Sequence, residues 1–280
     1  MDNAPFARRR AVMPALSAPA PAIETDSEQR LVSALARGVS ILRCFSTTQT
    51  ELSARELMDM TALPKPTLFR LLETLSDLGL VRYSERTSKY VVGLALLNLA
   101  APALARMGVR QLARPLMEEL ADHLQGQVQM VAGWRQQLSY VEVVQGQGSR
   151  LFRPEVGTVM SMSRTASGRA YVCTLPEAER QAYMARLAAE DPERHDWFAE
   201  RLLDAQRDLA EHGFCRGHRD LHREIEVIAA PAATARGGEQ IIFAASVAVF
   251  SPHSKLLLED VGPRLLTLVR NVEAAIGNNG

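Results

Sequence analysis

The chain has 280 residues, of which 47% are hydrophobic and 23% are charged, a composition typical of globular proteins. This length predicts one or two domains, each large enough to bury a full core. The formal net charge is zero, which excludes a polycation, so any affinity for nucleic acid must come from a local basic patch.

The three cysteines, Cys44, Cys173 and Cys215, are odd in number and widely spaced, which excludes a disulfide framework and favours a reducing cytoplasm. No apolar run reaches the roughly 18–20 residues of a membrane span, so we expect a cytoplasmic protein without membrane contact. Residues 1–27 contain an arginine triplet, 8–10, and an Ala/Pro-rich run. We expect a disordered arm there, whose arginines either touch DNA phosphate or remain solvated.

Residues 28–93 are predicted to form a small helical unit with a hairpin. Val39, Ile41, Leu42 and Phe45 mark a first helix, which a polar run at 46–50 closes. Ser53 and Glu56 then have the spacing of a capping box, in which each side chain accepts a hydrogen bond from the other residue's amide. Leu57, Met60 and Leu63 mark the short second helix that follows.

The next stretch, residues 63–81, predicts a longer amphipathic helix. Five leucines recur at helical spacing; they are Leu68, Leu71, Leu72, Leu75 and Leu78. Pro66 suits the first turn, and Gly79 lies where a left-handed cap is expected. Thr67, Phe69 and Arg70 lie on the opposite face. A short helix, a tight turn and a longer helix are the helix-turn-helix pattern.

Two β-rich segments, 80–84 and 89–93, follow and are joined by the turn 85–88, which predicts a wing. We expect the polar face of the longer helix to read base edges in the major groove and basic residues around it to hold phosphates. The predicted base-contacting residues are Thr67, Phe69 and Arg70, and the predicted phosphate contacts are Lys65, Arg82, Arg86 and Lys89. A winged helix that serves only protein contacts is the alternative.

These residues resemble the winged helix of the IclR family of bacterial transcriptional regulators. The similar segments are 34–42 (ALARGVSIL), 63–75 (LPKPTLFRLLETL) and 90–93 (YVVG), and the resemblance extends over nearly everything after residue 30. It implies a homodimer or tetramer that binds double-stranded operator DNA and a small effector, often to control a catabolic operon. Pro66 departs from the family pattern, where a hydroxyl residue is expected, and removes one amide that could hold a phosphate.

Residues 94–107 form a connector that is too apolar to stand alone in water. Its apolar residues, Leu94, Leu96, Leu97, Leu99, Ala100 and Leu104, suit a linker helix. Such a helix either packs on its own domain or pairs across a dimer, the arrangement that half-site recognition requires.

Residues 108–280 are predicted to be an α+β domain with helices around an antiparallel sheet. Predicted helices cover 109–124, 165–175, 177–189, 197–211 and 255–276. Predicted strands cover 128–134, 138–144, 225–230 and 240–249, with short strands near 151–152 and 159–162 and a turn at 236–238. The resemblance implies a GAF-like effector-binding domain.

Residues 165–170 (TASGRA) resemble the helix start that lines the family's pocket. A helix N-terminus with a hydroxyl and little bulk suits an anion, although a plain N-cap by Thr165 or Ser163 is an equal alternative. Ala248 replaces a hydroxyl of some members, which favours an effector larger and more apolar than a two-carbon acid, such as an aromatic carboxylate. The candidate effector residues are Met130, Trp134, Met160, Ala166, Ser167, Gly217, His218, Val227, Ser246 and Ala248, with Met162 as further lining.

A metal site and catalysis are the functions that the sequence favours least. Cys215, His218 and His222 have zinc-type ligand spacing, but the resemblance places them in a loop at the pocket edge, and we expect no metal and no cofactor. Ser163 and Ser167 lack a nucleophile elbow, and no P-loop or dinucleotide fingerprint is present. We therefore expect a protein that is not an enzyme.

Overall fold

The computed structural model describes residues 32–217, 219–233 and 239–277. The predicted arm, residues 1–27, and the predicted turn at 236–238 lie outside this part of the chain. In the described part, no helix is both long and apolar enough to cross a membrane.

The N-terminal unit contains three helices and a small antiparallel sheet with the strand order β1-β3-β2. Its elements are α1 (Ser33–Arg43), β1 (Glu51–Leu52), α2 (Ala54–Thr61), α3 (Lys65–Asp77), β2 (Val81–Ser84) and β3 (Lys89–Val92). The helix-turn-helix and the wing therefore form as the sequence predicts. The two-residue strand β1, which was not predicted, pairs with β3 and makes the wing three-stranded.

One apolar cluster holds this unit together. Leu68, Leu72 and Leu75 of α3 are buried in it, with Leu71 half-buried at its edge. Leu78 is exposed because α3 ends before it, and Met60, predicted as a core residue of the second helix, is exposed as well. Helix α3 therefore buries one leucine face and leaves the opposite face free.

The ends of α2 and α3 are fixed by local hydrogen bonds. The amide of Ser53 donates to Glu56 Oε2 at 2.7 Å, and the amide of Glu56 donates to Ser53 Oγ at 3.2 Å, which is the predicted capping box. After α3, Gly79 adopts φ +69°, the left-handed conformation that a residue without Cβ accepts at little cost. The amide of Leu80 then reaches the carbonyl of Leu75 at 2.8 Å and turns the chain into the wing.

Helix α4 (Ala95–Arg106) occupies the predicted connector and buries none of its residues. Leu94, Leu97 and Leu99 remain exposed at 80%, 66% and 67%. The described residues therefore do not support the interpretation in which the connector packs on its own domain.

The C-terminal part is an α+β unit built on a five-stranded antiparallel sheet with the order β5-β4-β8-β7-β6. The elements are α5 (Val109–Leu124), β4 (Gln127–Trp134), β5 (Gln137–Gln145), α6 (Ala166–Thr174), α7 (Glu177–Glu190), α8 (Pro192–His212), β6 (Cys215–Arg216), β7 (Ile225–Ala232), β8 (Gln240–Ala248), a 3₁₀ helix (Pro252–Lys255), a π-helix (Leu257–Val261) and α9 (Gly262–Gly277). The predicted fold class is confirmed.

Side chains alternate between the two faces of this sheet. Val128, Met130 and Phe243 belong to the cluster that packs against α5 and α9. Val131 and Ala244 belong to the second cluster, which packs against α6, α7 and α8. The sheet thus separates two layers, which we call the α5/α9 layer and the α6 layer.

Three predictions for this part differ from the structure. The segments near 151–152 and 159–162 are not strands, since only a single bridge pairs Val159 with Ser139 of the edge strand β5. The closing helix is divided into 3₁₀, π and α segments, and α8 begins at Pro192, five residues before the predicted start. The two-residue strand β6 was not predicted.

Candidate DNA-binding surface and effector site

The polar face of α3 is exposed and free to enter a DNA groove. Lys65, Phe69 and Arg70 are exposed and Thr67 is half-buried, and Arg70 lies on the side opposite the buried leucines. The Lys65 ammonium lies 5.9 Å from the centre of the Phe69 ring, so the two side chains form one surface. No side chain caps the helix start, and Thr67 retains a first-turn amide that can meet a phosphate.

Two of the three predicted cations of the wing have no ion-pair partner in the part of the chain that the structure describes. Arg82 and Arg86 are exposed, whereas Lys89 is half-buried and lies 3.4 Å from Glu56 Oε2. Lys89 therefore differs from Arg82 and Arg86, because the carboxylate of Glu56 partly neutralises its charge. The two hydrogen bonds with Ser53, followed by the charge of Lys89, lower the pKa of Glu56 and keep that carboxylate ionised.

In the α6 layer, the strand register brings several predicted effector residues into one row. Gln127 of β4 is the cross-strand partner of Ser246, which in turn pairs with Val227 of β7. The amide of Gly217 donates to the carbonyl of Val227 at 2.7 Å and extends the row beyond β6. Ala248 lies two residues beyond Ser246 on the same face.

The N-terminus of α6 lies over this layer with Ala166 and Ser167 buried. Thr165 Oγ1 accepts a hydrogen bond from the amide of Gly168 at 2.9 Å, so Thr165 is the N-cap. A Cβ at Gly168 would lie 2.1 Å from the carbonyl oxygen of Met162, so only glycine allows this close approach. Met160 and Met162 belong to the same apolar cluster.

Two buried glutamines of this layer were missed from the sequence. Gln129 Nε2 donates to Gln127 Oε1 at 2.6 Å and lies 3.3 Å from Ser246 Oγ, and Gln127 Nε2 donates to the carbonyl of Phe152 at 3.2 Å. Buried amides are costly unless they are hydrogen-bonded, and here the two glutamines satisfy each other within an otherwise apolar layer. The available signal was the alternation of Gln127 and Gln129 with the apolar Val128 and Met130.

Two of the predicted effector residues that the structure describes do not join this group. Met130 is buried in the α5/α9 layer, because its neighbour Gln129 takes the other face of β4. Trp134 is exposed at the far end of the strand, about 23 Å from Gln127, with the Arg135 guanidinium over its ring. His218 lies outside the described residues.

Ion pairs tie the overlying helices to the strand β6 and the loop that follows it. Arg169 of α6 is fully buried and lies 2.9 Å from Asp220, and it donates to the carbonyl of Arg216 at 3.2 Å. Arg216 also forms a two-pronged pair with the buried Asp208 of α8, at 3.1 and 2.8 Å. A change at the start of α6 is therefore coupled to β6 and its loop.

The cysteine of the zinc-type motif is engaged elsewhere. Cys215 Sγ is buried and donates to the carbonyl of Ala166 at 3.3 Å, and burial raises the pKa of the thiol to about 12. Since a metal binds the thiolate, this environment disfavours Cys215 as a ligand. Burial also lowers the pKa of His222.

Comparison with known proteins identifies both parts of the chain. Residues 34–85 match the family of the IclR helix-turn-helix domain, and residues 101–277 match the family of the bacterial transcriptional regulator IclR C-terminal domain. The chain belongs to the IclR family of bacterial transcriptional regulators. Like its relatives, this IclR-type protein is a transcriptional regulator with a DNA-binding and an effector-binding domain, and not an enzyme.

Several relatives match over most of their length. The chain is 28% identical to the HTH-type transcriptional regulator TsaQ1/TsaQ2 of Comamonas testosteroni over 253 residues, which are 89% of this chain and 90% of that protein. An IclR family transcriptional regulator from Brucella abortus superimposes with a TM-score of 0.81 at 32% identity, over 92% of this chain and 97% of that one. An IclR homolog from Microbacterium hydrocarbonoxydans, complexed with 4-hydroxybenzoate, shares the fold with a TM-score of 0.68 at 18% identity, over 88% and 99% of the two chains.

Proposed function

We propose that this IclR-type regulator controls a catabolic operon in response to a small aromatic carboxylate that binds in the α6 layer. The observation that carries the proposal is the buried network of Gln127, Gln129 and Ser246 on the face of the sheet that α6 covers. Apolar residues surround this network, a combination that suits a ligand with one polar end and one apolar body.

Each end of such a ligand has a chemical counterpart. First-turn amides at Ala166 and Ser167 favour a carboxylate, because the helix N-terminus carries partial positive charge. Met160, Val227 and Ala248 offer an apolar surface that would suit a ring. The solved relative that holds 4-hydroxybenzoate makes that acid the first ligand to test.

For DNA, we propose that Thr67, Phe69 and Arg70 contact base edges and that Lys65, Arg82 and Arg86 contact phosphates, with a weaker contribution from Lys89. The exposure of these side chains and the ion pair of Lys89 support this ranking. A palindromic operator would be read by a homodimer or tetramer.

The test is binding of the purified full chain to the promoter fragments of its own and neighbouring genes. If the helix and wing engage several phosphates, affinity should fall by roughly 10³-fold or more between about 50 and 200 mM salt. Binding that does not depend on salt would instead support a winged helix that serves protein contacts.

Calorimetry with 4-hydroxybenzoate tests the effector site. We expect binding heat from the wild type and little from Ser167→Leu, whose larger side chain would fill the site. Ser246→Ala removes only a hydroxyl and should weaken binding without blocking the site. Acetate, which lacks the ring, should bind less tightly than the aromatic acid. Equal heats from wild type and both variants would place the ligand elsewhere.

A further inference from the structure

A group of metal-ligating side chains lies in the α5/α9 layer, on the opposite side of the sheet from the effector site. His123 is the penultimate residue of α5, His253 lies in the 3₁₀ helix after β8, and Asp260 lies in the π-helix before α9. In the described part of the chain, no other group of three such residues converges in this way.

The donor atoms are close to the spacing of a tetrahedral site. Asp260 Oδ2 lies 2.9 Å from His123 Nε2 and 3.5 Å from His253 Nδ1, and all three atoms lie within 4.8 Å of one another. Ligands about 2.0–2.1 Å from a zinc ion are separated by about 3.3 Å in a tetrahedron. The two imidazole rings, whose centres lie 5.1 Å apart, would have to move slightly to bring both nitrogens to one ion.

The surroundings fix the carboxylate and leave one oxygen for the imidazoles. Arg264 Nε donates to Asp260 Oδ1 at 2.7 Å, so Oδ2 faces the two histidines. A hydrogen bond of this kind orients a metal ligand in many sites. Asp260 also lies in a single π-turn, a departure from α-helix that is frequent at functional sites.

The histidines offer the remaining coordination. His253 Nδ1 is buried and makes no hydrogen bond within the described structure, which leaves its lone pair available to a cation. The side chains of His123, Asp260 and His253 are 34%, 24% and 21% exposed, so an ion can enter and a water can complete the coordination.

We propose that His123, His253 and Asp260 form a binding site for a divalent transition metal of the zinc class, with water as the fourth ligand. Two imidazoles and a carboxylate are a donor set that zinc accepts in proteins, whereas magnesium and calcium prefer oxygen alone. The site is distinct from the zinc-type motif of the sequence, whose Cys215 belongs to the cluster on the other side of the sheet.

Such an ion would join two regions that are far apart in the sequence, the end of α5 and the segment between β8 and α9. His123 is 137 residues from Asp260, and the ion would tie the end of α5 to the start of α9. Because α5 follows the connector α4 in the chain, metal binding would stabilise the effector domain at the helix into which the connector leads. It would do so independently of the effector site, and the inference does not depend on the identity of the effector.

The experiment uses the full chain without a histidine tag, stripped with a chelator and titrated with zinc by calorimetry. We expect one zinc ion per chain, and cobalt in the same site should show the visible absorption of tetrahedral Co²⁺. His123→Asn and His253→Gln should each weaken zinc binding by about 100-fold or more. Zinc should raise the melting temperature of the wild type but not that of either variant.

Two controls make the result decisive. His195→Asn removes a histidine that lies 2.9 Å from Asp196 in a plain surface pair, and it should leave zinc binding unchanged. His222→Gln tests the rival motif and should also leave it unchanged. The proposal is overturned if the stripped wild type takes up no zinc, if His123→Asn and His253→Gln bind as the wild type does, or if His222→Gln abolishes binding.

Discussion

Arg70 lies on the exposed face of α3, next to Phe69 and opposite the buried leucines, with no ion-pair partner among the described residues. An arginine in this position can donate two hydrogen bonds to a guanine in the major groove. We predict that Arg70→Ala weakens binding to the preferred operator by about 1–3 kcal/mol and relaxes base preference at one position. Competition binding against a panel of operator variants measures both effects.

Arg207→Ala is the control, since it removes another exposed arginine, one that pairs with Asp204 on α8 of the effector domain. It should change neither affinity nor preference. If Arg70→Ala weakens binding equally on every sequence, Arg70 contacts phosphate and the base contacts lie with Thr67 and Phe69.

The effector site shows how far single residues can be assigned from the sequence. Ser167, Val227 and Ser246 fall in the α6 layer because the helix start and the strands were predicted in the right places. Met130 was predicted to line the effector site but faces the α5/α9 layer, whereas its neighbour Gln129, which faces Ser246, was not named. Successive strand residues face opposite sides, so a choice between them requires knowing which layer holds the ligand, and the sequence does not contain that information locally.

At the scale of single elements, the capping box of α2 supports the helix that precedes α3. The pKa of Glu56 is lowered from 4.5, first by the Ser53 hydrogen bonds and then by Lys89, so the unfolded chain binds the proton more tightly. The stabilisation by Glu56 is therefore fully present above pH 4.5 and is lost as the pH falls through the lower folded pKa. We predict that Glu56→Gln is less stable than the wild type at pH 7 and that this difference shrinks at about pH 3. Denaturant unfolding at the two pH values measures it.

Ser53→Ala provides the companion measurement, because it removes the other half of the box and should cost about 1 kcal/mol. If the gap between the wild type and Glu56→Gln stays constant from pH 7 to pH 3, the carboxylate does not stabilise the folded state through its charge.

Most elements were predictable because their signals are local. The leucine spacing of α3, the capping box of α2 and the turn at Gly79 each depend on residues that are only a few positions apart in the sequence. The strands β1 and β6 were missed because each has two residues and exists only through its partner, β3 or β7. The segment 159–162 was wrongly assigned as a strand because it is largely apolar; Met160 and Met162 are buried in the α6 layer, but only one bridge, from Val159 to Ser139, joins the segment to β5.

For the whole molecule, we propose that the effector domain influences DNA binding through the connector and through the association of subunits. An effector shifts the balance between DNA-competent and incompetent states by no more than its difference in affinity for them. Linkage then requires that operator DNA change effector affinity by the same factor. The exposed leucines of α4 form a surface through which a conformational change in one subunit would affect another.

The connector gives the prediction that tests this organisation. Leu97 is 66% exposed on α4, and burial against a second copy of the chain would stabilise a dimer by about 1.5–3 kcal/mol per leucine. Since each dimer contains two copies, we predict that Leu97→Asp raises the dimer dissociation constant by about 100-fold and weakens operator binding with it.

Leu203→Asp, at a leucine that is 60% exposed on α8, should change neither the dimer dissociation constant nor operator binding. Sedimentation across a range of protein concentrations measures association, and titration of operator DNA measures the consequence. A Leu97→Asp protein that associates and binds DNA as the wild type does would show that subunits meet elsewhere.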